Sequence, residues 1–218
     1  MTAGPISLQS KVFDALEDGI ISGRYAAGAS ISELAISREL SVSRTPVREA
    51  LHRLKEEGLV ELIPNKGAVV IGVSTEDLVD IYKIRMRLEG LAASLAAEKM
   101  TDGEKSSLAE NVELQRFYVS KNNAEKVKEL DTEFHELIYA GCKSRTIMRT
   151  LSELHNSTKL YRKISLSAAD RIGRSVEEHS AICRAICEGD AEKVDKLSSE
   201  HVGAALCNIL KIIGKDEK

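Results

Sequence analysis

The run Ser43-Arg-Thr-Pro-Val-Arg-Glu-Ala-Leu51 constrains this chain more tightly than any other stretch. Pro46 has no N–H and a fixed φ, which suits the first turn of a helix, and Thr45 or Ser43 can supply a capping hydroxyl. From there Val47, Ala50, Leu51 and Leu54 recur at helical steps and make one apolar stripe. Arg44, Thr45, Arg48 and His52 lie off that stripe or at the open N-terminal end. A helix that buries one side and offers arginines and a hydroxyl at its start is suited to phosphates and base edges. Arginine-bearing amphipathic helices are also common as plain solvated surface, so the reading depends on what flanks this one.

The flanks favour recognition. Ile31, Leu34, Ala35 and Leu40 predict a short preceding helix, opened by Ser30 or Ser32, with Ser30 and Glu33 at capping-box spacing. Ser41-Val-Ser43 is then the tight connection of a helix-turn-helix. On the other side Gly58 ends the helix, Leu59 to Ile63 and Ala68 to Ile71 are β-prone, and Pro64-Asn-Lys-Gly67 is turn chemistry between them. These features predict a two-stranded wing with a lysine at its tip. Residues 6–72, with Ile20-Ile-Ser-Gly-Arg-Tyr-Ala-Ala-Gly28, the Ser43 to Leu51 run and Glu57-Gly-Leu-Val60, resemble the winged helix of the GntR family of bacterial transcriptional regulators. The resemblance implies that Arg44, Thr45 and Arg48 touch a double-stranded operator, that Ser43 meets its phosphate backbone, and that Lys66 and Gly67 enter the minor groove.

Composition narrows the remainder. A chain of 218 residues holds one large or two ordinary domains, and 43% hydrophobic residues with only 4% aromatic favours helices over sheet. The formal net charge of -3 gives no global basic field. Positive charge is local: residues 38–55 hold five basic residues against two acidic ones. DNA contact is therefore expected through a patch, with strong salt dependence. No apolar run is long enough to span a bilayer and the N-terminus lacks a signal-peptide layout, so a cytoplasmic protein with no membrane partner is expected. The spacing of Cys142, Cys183, Cys187 and Cys207 fits reduced thiols and not a secreted scaffold.

In chain order, Leu8, Val12, Phe13, Leu16 and Ile20 predict the inner face of a first helix stopping at Gly23. After the wing, residues 73–77 read as a hinge and 78–213 as an all-helical domain for metal and effector binding and for dimerisation. Helices are predicted at about 75–99, 104–120, 123–140, 144–164, 175–188 and 191–213, with Ser175 and Glu178 as a capping box and Ser165 to Arg174 as the longest loop. The fold class is thus mainly α: a winged helix-turn-helix followed by an antiparallel bundle of about six helices.

Three of the five histidines fall where a metal would need them. Asp131 and His135, four residues apart on one helix, project from the same face. His179 and His201 flank the Gly189 turn at similar separations, and with ~1.5 Å of rise per residue an antiparallel pair brings them to similar heights. Three imidazoles and a carboxylate suit a divalent cation, zinc first, with nickel, manganese or iron as alternatives. Taken singly, each is equally at home as a core or surface residue. Residues 75–210 resemble the C-terminal domain of the FadR subgroup, whose metal-binding members carry this Asp, His, His, His pattern. The resemblance implies that Asp131, His135, His179 and His201 are ligands and that Arg85 faces the bundle interior. There it would grip a small carboxylate effector together with the metal. The alternative for Arg85 is an ion pair with Glu89 on the helix surface. His155, Asn156, Arg162 and Lys163 are further pocket candidates, and Cys183 is a competing soft ligand. His52 is expected to face DNA or solvent. Gly141-Cys-Lys-Ser144 departs from the Gly-Asn step of many relatives.

The expected function is a homodimeric regulator, repressor or activator, on a palindromic operator, with affinity set by an organic acid bound near the metal and transmitted through residues 72–75. Two other readings are a DNA-binding regulator whose metal is purely structural and a metal-dependent hydrolase. Four protein ligands leave a hydrolytic zinc little open coordination, so no enzymatic activity is expected.

Overall fold

The computed structural model describes residues 8–21, 23–56, 58–64, 67–71, 74–158, 161–162, 165–166 and 169–214. Contacts divide the chain into two units, one running to Glu76 and the other starting at Asp77.

The first unit runs α1 (Leu8–Ile21), β1 (Ser30–Ile31), α2 (Glu33–Glu39), α3 (Arg44–Glu56), β2 (Val60–Ile63) and β3 (Gly67–Val70). The apolar stripe of α3 is its inner face: Val47, Ala50, Leu51 and Leu54 are buried against Val12, Phe13 and Leu16 of α1. Pro46 sits in the first turn of α3, where an absent N–H costs no helical bond. Leu8 is 51% exposed, so the inner face of α1 begins only at Val12.

Two expectations fail at α2. Ile31 is not helical; it pairs with Ala68 in a short strand, which joins the predicted two-stranded wing of β2 and β3 as a third strand in the order β1-β3-β2. Ser30 lies in that strand, and Ser32 occupies the helix N-cap without a side-chain bond, so the capping box with Glu33 does not form. The buried residue of α2 is Ile36, while Leu34 is 47% exposed. Pairing with β3 buries Ile31 completely, which outweighs a weak helical start. Gly67 is required at the strand junction: its φ is +104°, and a Cβ there would lie 2.1 Å from the Ile31 carbonyl oxygen.

The second unit is α4 (Thr75–Lys99), α5 (Asp102–Ser120), α6 (Ala124–Gly141), α7 (Arg145–Ser157), α8 (Ala169–Glu188) and α9 (Ala191–Ile213). Their starts have local causes. Thr101 and Glu104 form a reciprocal capping box, and Asn123, Ser144 and Asp190 each cap the helix that follows. The core joins Ala93 and Ala96 of α4, Leu108 of α5, Phe134 of α6, Ile186 of α8 and Val194 of α9.

Here too the predicted boundaries need correction. α7 ends at Ser157, but residues 161, 162 and 165 are again helical, Arg162 N–H donating to the Thr158 carbonyl and Leu166 N–H to that of Arg162; α8 begins at Ala169, so much of the predicted loop is helix. Ser175 lies buried within α8 and caps nothing. Burial of Ile172 and Val176 beside Val127 supplies the stabilisation that the polar sequence conceals. Among the described residues, no helix is long and apolar enough to cross a membrane.

α4 and α9 meet at Gly90, where an added Cβ would fall 1.9 Å from Asp195 Oδ1 and 3.0 Å from its carbonyl oxygen. Gly90→Ala is therefore expected to cost about 1–3 kcal/mol by overpacking, despite the better helix propensity of alanine. Thermal denaturation should show a midpoint lowered by several degrees, and an unchanged midpoint would contradict this close approach.

Candidate functional site

In the first unit, burial of the α3 stripe turns Ser43, Arg44, Thr45, Arg48 and His52 outward, and all five are exposed. A groove between α3 and the strands is lined by Arg44, Arg48, His52, Lys55, Pro64 and Gly67. Lys66, the expected wing tip, lies outside the described residues.

One acidic residue in this groove was missed by the sequence reading. Glu33, in the first turn of α2, accepts from Arg44 Nη2 at 2.7 Å and from Arg48 Nε and Nη2 at 3.1 and 3.0 Å. Hydrogen bonding from Arg48, joined by Arg44, holds its carboxyl below the usual range. The partners are 11 and 15 residues away, which no local pattern reveals.

In the second unit, α6 supplies Asp131 and His135, α8 supplies His179, and α9 supplies His201; all four are buried. One ligand atom from each of the three histidines lies within 4.8 Å of the other two. Each imidazole is oriented from behind. The Gln115 amide nitrogen donates to Asn111 Oδ1 at 2.7 Å, which turns its oxygen toward His179 Nδ1 at 2.8 Å. His201 Nδ1 donates to Glu178 Oε2 at 2.6 Å, and His135 Nδ1 lies 3.0 Å from Glu89 Oε2. With its Nδ1 donating, a neutral ring keeps its lone pair on Nε2. The Nε2 atoms of His179 and His201 accordingly face each other at 3.3 Å.

The carboxylates around the cluster are themselves held by buried arginines. Arg85 bonds Glu89 at 2.7 Å, Arg171 bonds Glu178 at 2.6 Å, and Arg162 bonds Asp131 at 3.2 Å. Asp131 Oδ1 stands 3.7 Å from His179 Nε2. Two arginine–carboxylate–imidazole relays, Arg85–Glu89–His135 and Arg171–Glu178–His201, therefore converge on the cluster, with the Arg162–Asp131 pair beside them. Burial alone would raise Glu89 and Glu178, but the facing arginines and histidines reverse it, leaving Glu89 well below the carboxylate range and Glu178 at about 2.

Arg85 faces the interior as the resemblance implies, yet it also makes the ion pair with Glu89 that had been the alternative. The pair is buried and not on the helix surface, because α4 is enclosed there: Arg85 is 2% and Glu89 4% exposed. A third Arg85 nitrogen donates to Thr158. His155 is buried close by, and one possible ligand atom each from Glu89, His135 and His155 lie within 4.8 Å of one another. Asn156 is exposed, and Lys163 lies outside the described residues. Cys183 sits in the apolar core with Ile182 and Ile186, its thiol pushed up to about 12 by burial and neighbouring Cys187. Gln115 carries no sequence signal, being one polar residue on a helix of mixed character.

Burial, and then neighbouring positive charge, pushes His155 and His179 well below the usual imidazole range, and burial lowers His201 as well. The unfolded chain takes up protons near pH 6.5 that the native protein refuses. Stability should thus be fully present above that pH and fall as pH drops from about 6.5 toward 5, by up to ~1.4 kcal/mol per pH unit for each histidine. Urea unfolding of metal-free protein across this window is the check, and a flat or opposite trend would contradict neutral burial.

Residues 8–70 match the gntR family of bacterial regulatory proteins, and residues 80–204 match the FCD domain. The HTH-type transcriptional repressor RspR of Escherichia coli K12 is 26% identical over 195 residues, covering 89% of this chain and 86% of its own length. The gluconate operon transcriptional repressor of Bacillus licheniformis is 27% identical over 178 residues, 79% of this chain and 73% of its own. The solved structure of E. coli McbR/YncC is similar in fold, with a TM-score of 0.64 over 94% of this chain and 98% of that chain at 22% identity. Both matched domains belong to transcriptional regulators and not to enzymes. This chain therefore belongs to the GntR family of DNA-binding transcriptional regulators, with an FCD domain following its helix-turn-helix.

Proposed function

We propose that operator affinity is controlled by a small organic acid bound beside a divalent metal, zinc first, held by His135, His179 and His201 with Asp131. The observation that carries this reading is the 3.3 Å approach of two Nε2 lone pairs in a buried, neutral setting. Two acceptors repel at that distance unless a proton or cation lies between them. Two nitrogens on one tetrahedral zinc, each at ~2.05 Å, stand about 3.3 Å apart, so the spacing suits that ion. The Nδ1 partners Gln115, Glu178 and Glu89 supply the outer bonds that metal-binding histidines usually have.

Charge accounting points to an anionic effector. Arg85, Arg162 and Arg171 are each matched by one carboxylate, so a divalent cation on neutral imidazoles would carry uncompensated positive charge in a buried site. A bound cation would offer an attachment point for one carboxylate oxygen. Arg85 is engaged by Glu89 and acts mainly by orienting His135 through it. Among the described residues, Tyr82 Oη, Arg162 Nε and Arg171 Nε are buried without hydrogen-bond partners, and the three side chains line a small cleft that also touches Asp131, His135 and His201. These donors are better placed to hold the remainder of the acid. The gluconate operon named for one relative is consistent with a sugar or hydroxy acid.

On DNA, Arg44, Thr45 and Arg48 would read base edges, Ser43 would meet phosphate, and Lys66 and Gly67 would follow the wing into the minor groove. A cytoplasmic homodimer would present two such faces to a palindromic operator. Exposed Ile84 and Leu91 on α4, with Leu114 and Phe117 on α5, are apolar surface that a second copy would cover. The effector shifts binding only if its affinity differs between DNA-competent and incompetent arrangements.

The test is thermal unfolding of zinc-loaded protein against small carboxylates, with and without chelator, alongside operator binding. An effector at a hundred times its Kd should add ~2.7 kcal/mol, a shift of a few degrees, only with metal present, and should change operator affinity. If chelation lowers the midpoint but no acid moves either quantity, the metal is structural and this reading fails. Gln115→Leu is expected to weaken zinc binding by about 10–100-fold, measured by competition with a chelating dye.

A further inference from the structure

We infer that Glu33 is the specificity-determining residue of the DNA-binding face, a positioning residue that holds Arg44 and Arg48 in reading geometry and suppresses sequence-independent binding. The inference rests on the reading of those two arginines as operator contacts. Its basis is an asymmetry within the triad: the Glu33 side chain is only 17% exposed, whereas both arginines are 58% exposed. The carboxylate is the anchored member and the guanidinium groups are the reach. Glu33 is fixed where an anion belongs, in the first turn of α2 at the positive end of the helix dipole.

The bonding pattern leaves the useful edge open. Arg48 meets Glu33 side-on through Nε and Nη2, with two parallel bonds that fix the guanidinium plane. The end-on edge, Nη1 with the second hydrogen of Nη2, remains for the O6 and N7 acceptors of guanine. Among the described residues, Arg44 commits only Nη2. An untethered arginine would instead sample many rotamers and meet any phosphate within reach. Charge acts in the same direction. Two guanidinium groups and one carboxylate leave the triad at +1, which weakens counterion-driven attachment to arbitrary DNA while leaving the base-edge donors in place. Glu33 thus lowers non-specific affinity and raises discrimination at once.

The experiment uses the full-length protein and two duplexes: one enriched by the wild type from a randomised pool, and a scrambled duplex of the same composition. Fluorescence anisotropy across a range of KCl concentrations gives both affinities and their salt slopes. For Glu33→Gln, affinity for the scrambled duplex should rise several-fold and its log–log salt slope should steepen by up to about one. The ratio between the two duplexes should fall by about tenfold. Arg48→Lys keeps the charge but loses the side-on pair, so it should lower the ratio without steepening the slope. An unchanged ratio in Glu33→Gln overturns the inference, as does equal weakening on both duplexes with a lowered melting midpoint, the signature of a plain tie between α2 and α3. If the wild type enriches no sequence at all, the reading of α3 as an operator-reading helix falls, and the inference falls with it.

Discussion

Keeping several imidazoles neutral inside protein is the constraint on which the second unit depends. An imidazole buried without partners would strand a polar group, and a protonated one would add charge to a site already containing three guanidinium groups. The solution is to give each Nδ1 a fixed acceptor, and those acceptors come from three different helices: Glu89 from α4, Gln115 from α5 and Glu178 from α8. The acceptors then need support of their own. Glu89 and Glu178 obtain it from Arg85 and Arg171, and Gln115 from Asn111 and the Leu130 carbonyl. Phe134 stacks on His179 with ring centroids 4.1 Å apart, closing the apolar side. The centre is therefore held by a continuous shell reaching from α4 to α9, and displacing one helix would misalign several of its bonds.

The first unit uses a related device in a different dielectric. There a single carboxylate, Glu33, also meets arginines, but the guanidinium groups stand in solvent and can exchange partners. Such exposed pairs contribute little to stability. Their value lies in orientation, because α3 is fixed by its buried stripe and only the long side chains remain to be arranged. The same electrostatic pairing thus links buried side chains in one unit and orders exposed ones in the other.

The stretches legible in advance share one property: their signal is local. The stripe of α3, the Gly58 and Gly189 stops and the four-residue step from Asp131 to His135 each depend on neighbours within a few turns. The errors arose where a distant partner outweighed a local preference. Ile31 resembled the start of a helix until Ala68 paired with it. Residues 169–174 looked like loop because their polarity concealed the burial of Ile172 and the Arg171 link to Glu178. For Arg85 the sequence offered an interior effector grip or a surface pair with an acid, and the enclosure of α4 combined the two, making the pair with Glu89 an interior one.

The sequence by itself determined the two-part organisation, the helix offered to DNA and the set of histidines, because residue type, period and spacing along one chain suffice for each. Only the tertiary structure decided that Glu33 bonds two arginines, that Gln115 and Glu89 bond the histidines, and that Arg85 is already engaged. The physical reason is range. Helical periodicity acts over a few residues, whereas a hydrogen bond or an ion pair is chosen by whichever group packing brings within about 3 Å, at any separation along the chain.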